Sequence, residues 1–112
     1  MRITLKALVL TAALPTAFLL LPPAEAADAA AEALVRKSNC FNCHALDKRK
    51  SAPSYKEIAA KYKEDHKAQE KLFTHLTTNP LVEVDGEQEE HASLKTRNDE
   101  DVRKVVRWIL SL

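Results

Sequence analysis

Hydrophobic residues in the second half of the chain recur at helical spacing. Val102, Val105, Val106 and Ile109 follow an i, i+3, i+4, i+7 stripe, flanked by Trp108. This predicts a final helix opening at Asn98 or Asp99. Earlier, Leu72, Phe73 and Leu76 form a similar apolar face, with Asp65 as candidate cap. That helix is expected to end near Asn79-Pro80, because the residue before a proline is pushed out of helical geometry. Ser54-x-x-Glu57 has the form of a capping box and predicts a helix from Tyr55 to about Lys63, with Ile58, Ala59 and Tyr62 on one face. The alanine-rich stretch from Asp28 to Asn39 predicts another helix, capped by Asp28 and carrying Leu34 and Val35 as its larger apolar residues. Lys48 to Pro53 reads as a polar, basic loop, and Leu81 to Ser93 as an extended loop around the only glycine, Gly86. No convincing strand pair and no internal repeat is visible.

The first residues follow a different pattern. Arg2 and Lys6 precede an uncharged apolar run, Ala7 to Leu21, broken by Pro22-Pro23. Ala24-Glu25-Ala26 then matches a small-x-small cleavage site. A membrane span needs about 20 apolar residues, and Pro15 interrupts this shorter run. Residues 1–26 are therefore expected to be a secretory signal peptide and residues 27–112 one mature domain. The expected destination is the periplasm, with no integral membrane segment after cleavage. The whole chain carries a formal net charge of +1. Losing Arg2, Lys6 and Glu25 together brings that close to zero, which excludes the strongly basic footprint of a nucleic-acid binder.

The chemistry is concentrated in Cys40-Phe41-Asn42-Cys43-His44. Two cysteines three apart, followed directly by histidine, read as a c-type haem attachment site. Each thiol adds to one porphyrin vinyl group, and the histidine presents its imidazole to the iron. A Cys-x-x-Cys pair also serves redox disulfides and zinc sites. Here the βαβ context of the first is missing, and the second would need distant histidines, since the chain has 2 cysteines in all. A mature domain this small has a marginal core, and a covalent haem would act as its staple.

With these segments in view, the chain resembles the short class I monohaem cytochromes c of bacteria. An N-terminal helix precedes Cys40-x-x-Cys43-His44, a Pro53-Ser54-Tyr55-Lys56-x-Ile58-Ala59 segment follows, and Val105-Val106-Arg107-Trp108-Ile109-Leu110 closes the chain. The resemblance implies an all-α fold of about four helices around one covalent haem c. It also implies crossed first and last helices, with Val35 or Leu34 near Trp108. The Pro53 carbonyl is then expected to orient the His44 ring by accepting its second N–H. Ala52-Pro53 stands where the family often has Gly-Pro.

The sixth iron ligand departs from the family pattern. Its members usually use a methionine on a late loop, but Met1 is the only methionine here and lies in the expected leader. His91 occupies the corresponding loop position, so iron between His44 and His91 is the expected arrangement. The resemblance places His66 and His75, on the middle helices, away from that distal face. Asn79 and Lys95 are weaker alternative ligands. Saturated iron leaves no vacant position for substrate, which points to a periplasmic single-electron carrier rather than an enzyme. It would serve redox protein partners, such as a periplasmic oxidoreductase. The alternative is a haem-based small-ligand sensor or peroxidase-like enzyme, with His91 swung aside. Arg36 to Lys71 carries a basic excess, and Glu83, Asp85, Glu87, Glu89 and Glu90 form an acidic run before His91. Both are solvated surface, or a means of orienting an encounter complex.

Overall fold

The computed structural model describes residues 23–112. It contains four α-helices, a short 3-10 turn and one hairpin: α1 (Pro23–Lys37), the turn at Cys40–Asn42, α2 (Tyr55–Tyr62), α3 (Ala68–Thr77), β1 (Leu81–Val84), β2 (Glu87–Glu90) and α4 (Asp99–Ser111). This is a small all-α architecture with little strand. The basic start and apolar run of the expected leader lie outside the described residues. Among the described residues no helix is long and apolar enough to cross a membrane.

α4 is the element on which the fold closes. Its stripe is buried as its spacing implies, with Val102, Val105, Val106, Trp108 and Ile109 all inside the core. The Asn98 side chain accepts the Glu100 N–H at 2.9 Å and so caps the first turn. Asp99, Glu100 and Asp101 then place negative charge where the helix dipole favours it. α1, α2 and α3 each pack on α4. Ala31 and Val35 of α1, Tyr55 of α2, and Leu72 and Leu76 of α3 complete the same core, with Leu34 packed at its edge.

Two helix starts differ from expectation. α1 begins at Pro23 rather than being capped by Asp28. Proline suits a first turn, where its missing N–H is no loss. Residues Pro23 to Ala30 are exposed and the first buried side chain is Ala31, so a chain starting at Ala27 keeps every core contact of this helix. α3 starts after Lys67, not directly at Asp65. The Asp65 carboxylate accepts the Lys67 N–H at 2.8 Å and pairs with Lys71 at 2.6 Å, which steadies the turn into the helix from two residues away. The Ser54 capping box is present in full: Glu57 N–H donates to the Ser54 hydroxyl at 3.1 Å, and Ser54 N–H to the Glu57 carboxylate at 2.7 Å.

The segment expected to be an extended loop is instead an antiparallel hairpin. Leu81 pairs with Glu90, Val82 with Glu89, Glu83 with Gln88 and Val84 with Glu87. Asp85 (φ 52°) and Gly86 (φ 88°) make the turn with positive φ at both central positions, as tight two-residue hairpins require. Val82 and Val84 are half-buried, whereas every residue of β2 is exposed. Four polar residues in succession carry no apolar alternation, so the pairing depends on the Asp-Gly turn and on the ends of the hairpin being held. His91 N–H donates to Pro80 C=O at 2.8 Å across its base.

Candidate functional site

α1 delivers the cysteine motif. After Lys37 the chain reverses at Asn39, which takes the left-handed conformation (φ 60°) that asparagine tolerates better than most residues. Cys40 to Asn42 then form the 3-10 turn, and His44 N–H donates to Cys40 C=O at 3.0 Å. This winding keeps Cys40, Cys43 and His44 within one short turn. Both thiols are free; Cys40 is half-buried and Cys43 exposed. Burial pushes the Cys40 thiol above its ordinary range. Among the described residues no group of three or more His, Cys, Asp or Glu is arranged to hold a bare metal ion. The zinc alternative therefore lacks its remaining ligands.

The next loop folds back to orient His44. Ala52 N–H donates to Cys43 C=O at 3.1 Å, Tyr55 N–H to Ala45 C=O at 2.9 Å, and Lys56 N–H to Leu46 C=O at 3.0 Å. These bonds bring the Pro53 carbonyl to 2.6 Å from His44 Nδ1. With Nδ1–H donated there, the lone pair is left on Nε2, the form needed by a metal-binding imidazole. Ala52-Pro53 thus reaches the geometry expected of the loop without a glycine.

Tyr55 is a residue of the site to which sequence reasoning, which placed it at a helix start and in the segment after the loop, gave no role there. Its buried ring stacks on His44 at 5.1 Å and 25°. It also meets Phe41 and Trp108 edge-on, at 5.8 Å and 5.2 Å. The ring therefore links the cysteine turn, the His44 imidazole and α4. Burial, together with the neighbouring Cys40 thiol, pushes its phenol upward. Its place directly after the capping serine was the available signal.

His91 arrives from the other side, at the end of β2. Its ring centroid lies 6.2 Å from that of His44, with the planes tilted 59°. Metal–imidazole bonds of about 2 Å on either side, added to the half-widths of two rings, span about 6 Å between centroids. Burial, then the neighbouring His75 and His44 imidazoles, push His91 down to about 4, so it is neutral near pH 7. Its Nδ1 is buried with no hydrogen-bond partner. Such an orphan in a folded core calls for an explanation, and an unseen ligand is one. The residues present fit a haem c: two free cysteines three apart, one imidazole with its tautomer set by Pro53, and a second imidazole 6.2 Å away.

His75 departs from its expected place. The resemblance set it away from the distal face, but its ring lies 4.2 Å from that of His91 at 57°. The last turn of α3 and the end of the hairpin are brought together because Leu94 N–H donates to Leu76 C=O at 3.3 Å. Burial, then His44 and Lys61, lower its pKa from the usual value. His66 is exposed between α2 and α3. The Asn79 side chain is engaged with His91 C=O and Ser93, and exposed Lys95 donates its backbone N–H to the Ser38 hydroxyl at 2.9 Å.

A family profile for cytochrome c matches residues 26–112. The chain belongs to the cytochrome c family. It is similar to cytochrome c-551 of Allochromatium vinosum, with 30% identity over 82 residues, covering 70% of this chain and 82% of the relative. Among solved structures, it is similar to the class 1 cytochrome MtoD of Sideroxydans lithotrophicus. Identity there is 41% and the TM-score 0.71, covering 74% of this chain and 92% of the other. Cytochrome c552 of Nitrosomonas europaea matches at 26% identity and TM-score 0.56, covering 71% of this chain and 96% of the other. Membership implies covalently bound haem c, with Cys40, Cys43 and His44 fitting the attachment motif, and a haem-based electron carrier.

Proposed function

We propose that this cytochrome carries single electrons in the periplasm, with haem iron held between His44 and His91. The observation that carries this reading is the 6.2 Å separation of the two imidazoles. Export is supported by the leader pattern in residues 1–26, and haem attachment to such chains follows export. When bound, the haem supplies the one-electron couple. The chain's own residues do the rest. Cys40 and Cys43 tether it, and the Pro53 carbonyl holds the His44 tautomer. Tyr55 backs the proximal ring, and a neutral His91 offers the second lone pair. With the group held by both His44 and His91, no site would remain for an inner-sphere substrate, and exchange would be outer-sphere with redox protein partners. The exposed acidic strand β2 runs directly into His91, so a partner with a basic face would be drawn to the edge of the site.

The test is spectroscopic. Ferric protein is expected to be low-spin with the signature of two imidazoles, and ferrous protein to take up carbon monoxide near pH 7 only slowly, at the rate at which His91 gives way. A high-spin fraction with ready carbon monoxide uptake would replace this reading with a ligand-binding or peroxidase-like one.

A further inference from the structure

The end of α3 places Asn79 against the backbone of His91. Thr78 closes the helix and Asn79 follows with φ 49°, the left-handed stop that precedes Pro80. Its side chain does not simply face solvent. Asn79 Nδ2–H donates to His91 C=O at 3.0 Å, and the Ser93 hydroxyl donates to Asn79 Oδ1 at 2.8 Å. The first bond fixes which end of the amide faces His91, since a carbonyl only accepts and so requires Nδ2–H, leaving Oδ1 to accept from the serine. On the other side of the same residue, His91 N–H donates to Pro80 C=O at 2.8 Å. Both backbone polar groups of His91 are therefore tied to the Asn79-Pro80 step, and the His75 ring walls its imidazole at 4.2 Å.

We infer that Asn79 is a positioning residue for the distal ligand, setting where the His91 backbone stands relative to the iron. The hairpin between Pro80 and His91 then closes on a fixed base, and movement of its tip need not move the ligand. The inference rests on the bis-imidazole reading. The simpler role, that of a helix stop alone, makes an opposite prediction. Glycine is the best residue for a left-handed stop, so Asn79→Gly would leave such a role intact or improved.

The experiment uses the full haem-loaded protein and carbon monoxide as probe, followed by stopped-flow in the ferrous state beside the ferric spectrum and thermal midpoint. A hydrogen bond contributes about 1 kcal/mol and tenfold corresponds to about 1.4 kcal/mol, so Asn79→Gly is expected to speed uptake about fivefold without lowering the thermal midpoint. Asn79→Asp also tolerates the left-handed conformation but turns a carboxylate oxygen toward the His91 carbonyl, and is expected to speed uptake further. Ser93→Ala is expected to give a smaller increase. Unchanged uptake in Asn79→Gly overturns the inference. An increase with Gly that is absent with Asp also overturns it, because backbone freedom would then be the cause. Wild-type protein that takes up carbon monoxide as open iron would overturn the bis-imidazole reading itself, whereas closed wild type with inert variants overturns the positioning role alone.

Discussion

At the scale of single residues, the proposed bis-imidazole site needs one nitrogen lone pair from each of two rings. His44 is selected by its Nδ1 contact to Pro53 C=O at 2.6 Å. His91 would be selected by position and by burial that keeps it neutral. Two imidazoles lack the preference for ferrous iron that a thioether introduces. His91→Met is therefore expected to raise the reduction potential by roughly a hundred millivolts or more, within the range of about 0.8 V that axial ligands span. Potentiometric titration of the variant beside wild type checks this, and equal potentials would argue against His91 ligation. The Cys40-x-x-Cys43-His44 motif was legible because its chemistry is written in adjacent residues. His75 was misplaced because nothing local records that Leu94 N–H reaches Leu76 C=O and draws the two segments together.

At the scale of elements, helix ends explain most of what the sequence disclosed. The Ser54–Glu57 box starts α2 and, through Tyr55, seats the ring that backs His44. Ser54→Ala is expected to cost about 1 kcal/mol of stability, measured by denaturant unfolding, with a loosened His44 environment in the ferric spectrum. The partner carboxylate adds a pH dependence. The Ser54 backbone N–H, then the Ser54 hydroxyl and Arg49, hold the Glu57 carboxyl below its usual range. Its contribution is thus present above the unfolded value of about 4.3 and is lost as pH falls through the lower folded value. Wild type is expected to exceed Glu57→Gln in thermal midpoint at pH 7, with the gap closing in acid; a constant gap would remove the carboxylate from the account. The hairpin is the element the apolar pattern concealed. Asp85-Gly86 was a turn signal, but a partner strand reading Glu-Gln-Glu-Glu offers none of the alternation by which strands are recognised.

At the scale of the whole molecule, three helices lean on α4, and the site is assembled from segments that approach from different sides. The cysteine turn follows α1, the Pro53 loop precedes α2, and His91 follows the hairpin. A protein core of this size is marginal unaided, and the covalent haem that membership implies would join these segments. Cys40→Ala combined with Cys43→Ala is expected to abolish stable haem retention and cooperative unfolding, read by haem staining under denaturing conditions and by circular dichroism melts. A well-folded apo domain would contradict the staple role.

Sequence alone determined the features whose causes lie within a few residues. These are the attachment motif Cys40-x-x-Cys43 with the adjacent His44, the cap at Ser54, the stop at Asn79-Pro80 and the buried stripe of α4. Local hydrogen bonds and side-chain period are written in consecutive residues, so these features need no distant partner. Tertiary structure decided which histidine faces His44, that His75 lies beside it, that β2 pairs at all, and that the Asn79 amide meets the His91 carbonyl. Each of these depends on where separate helices come to rest on α4, and packing of segments remote in sequence leaves no local mark.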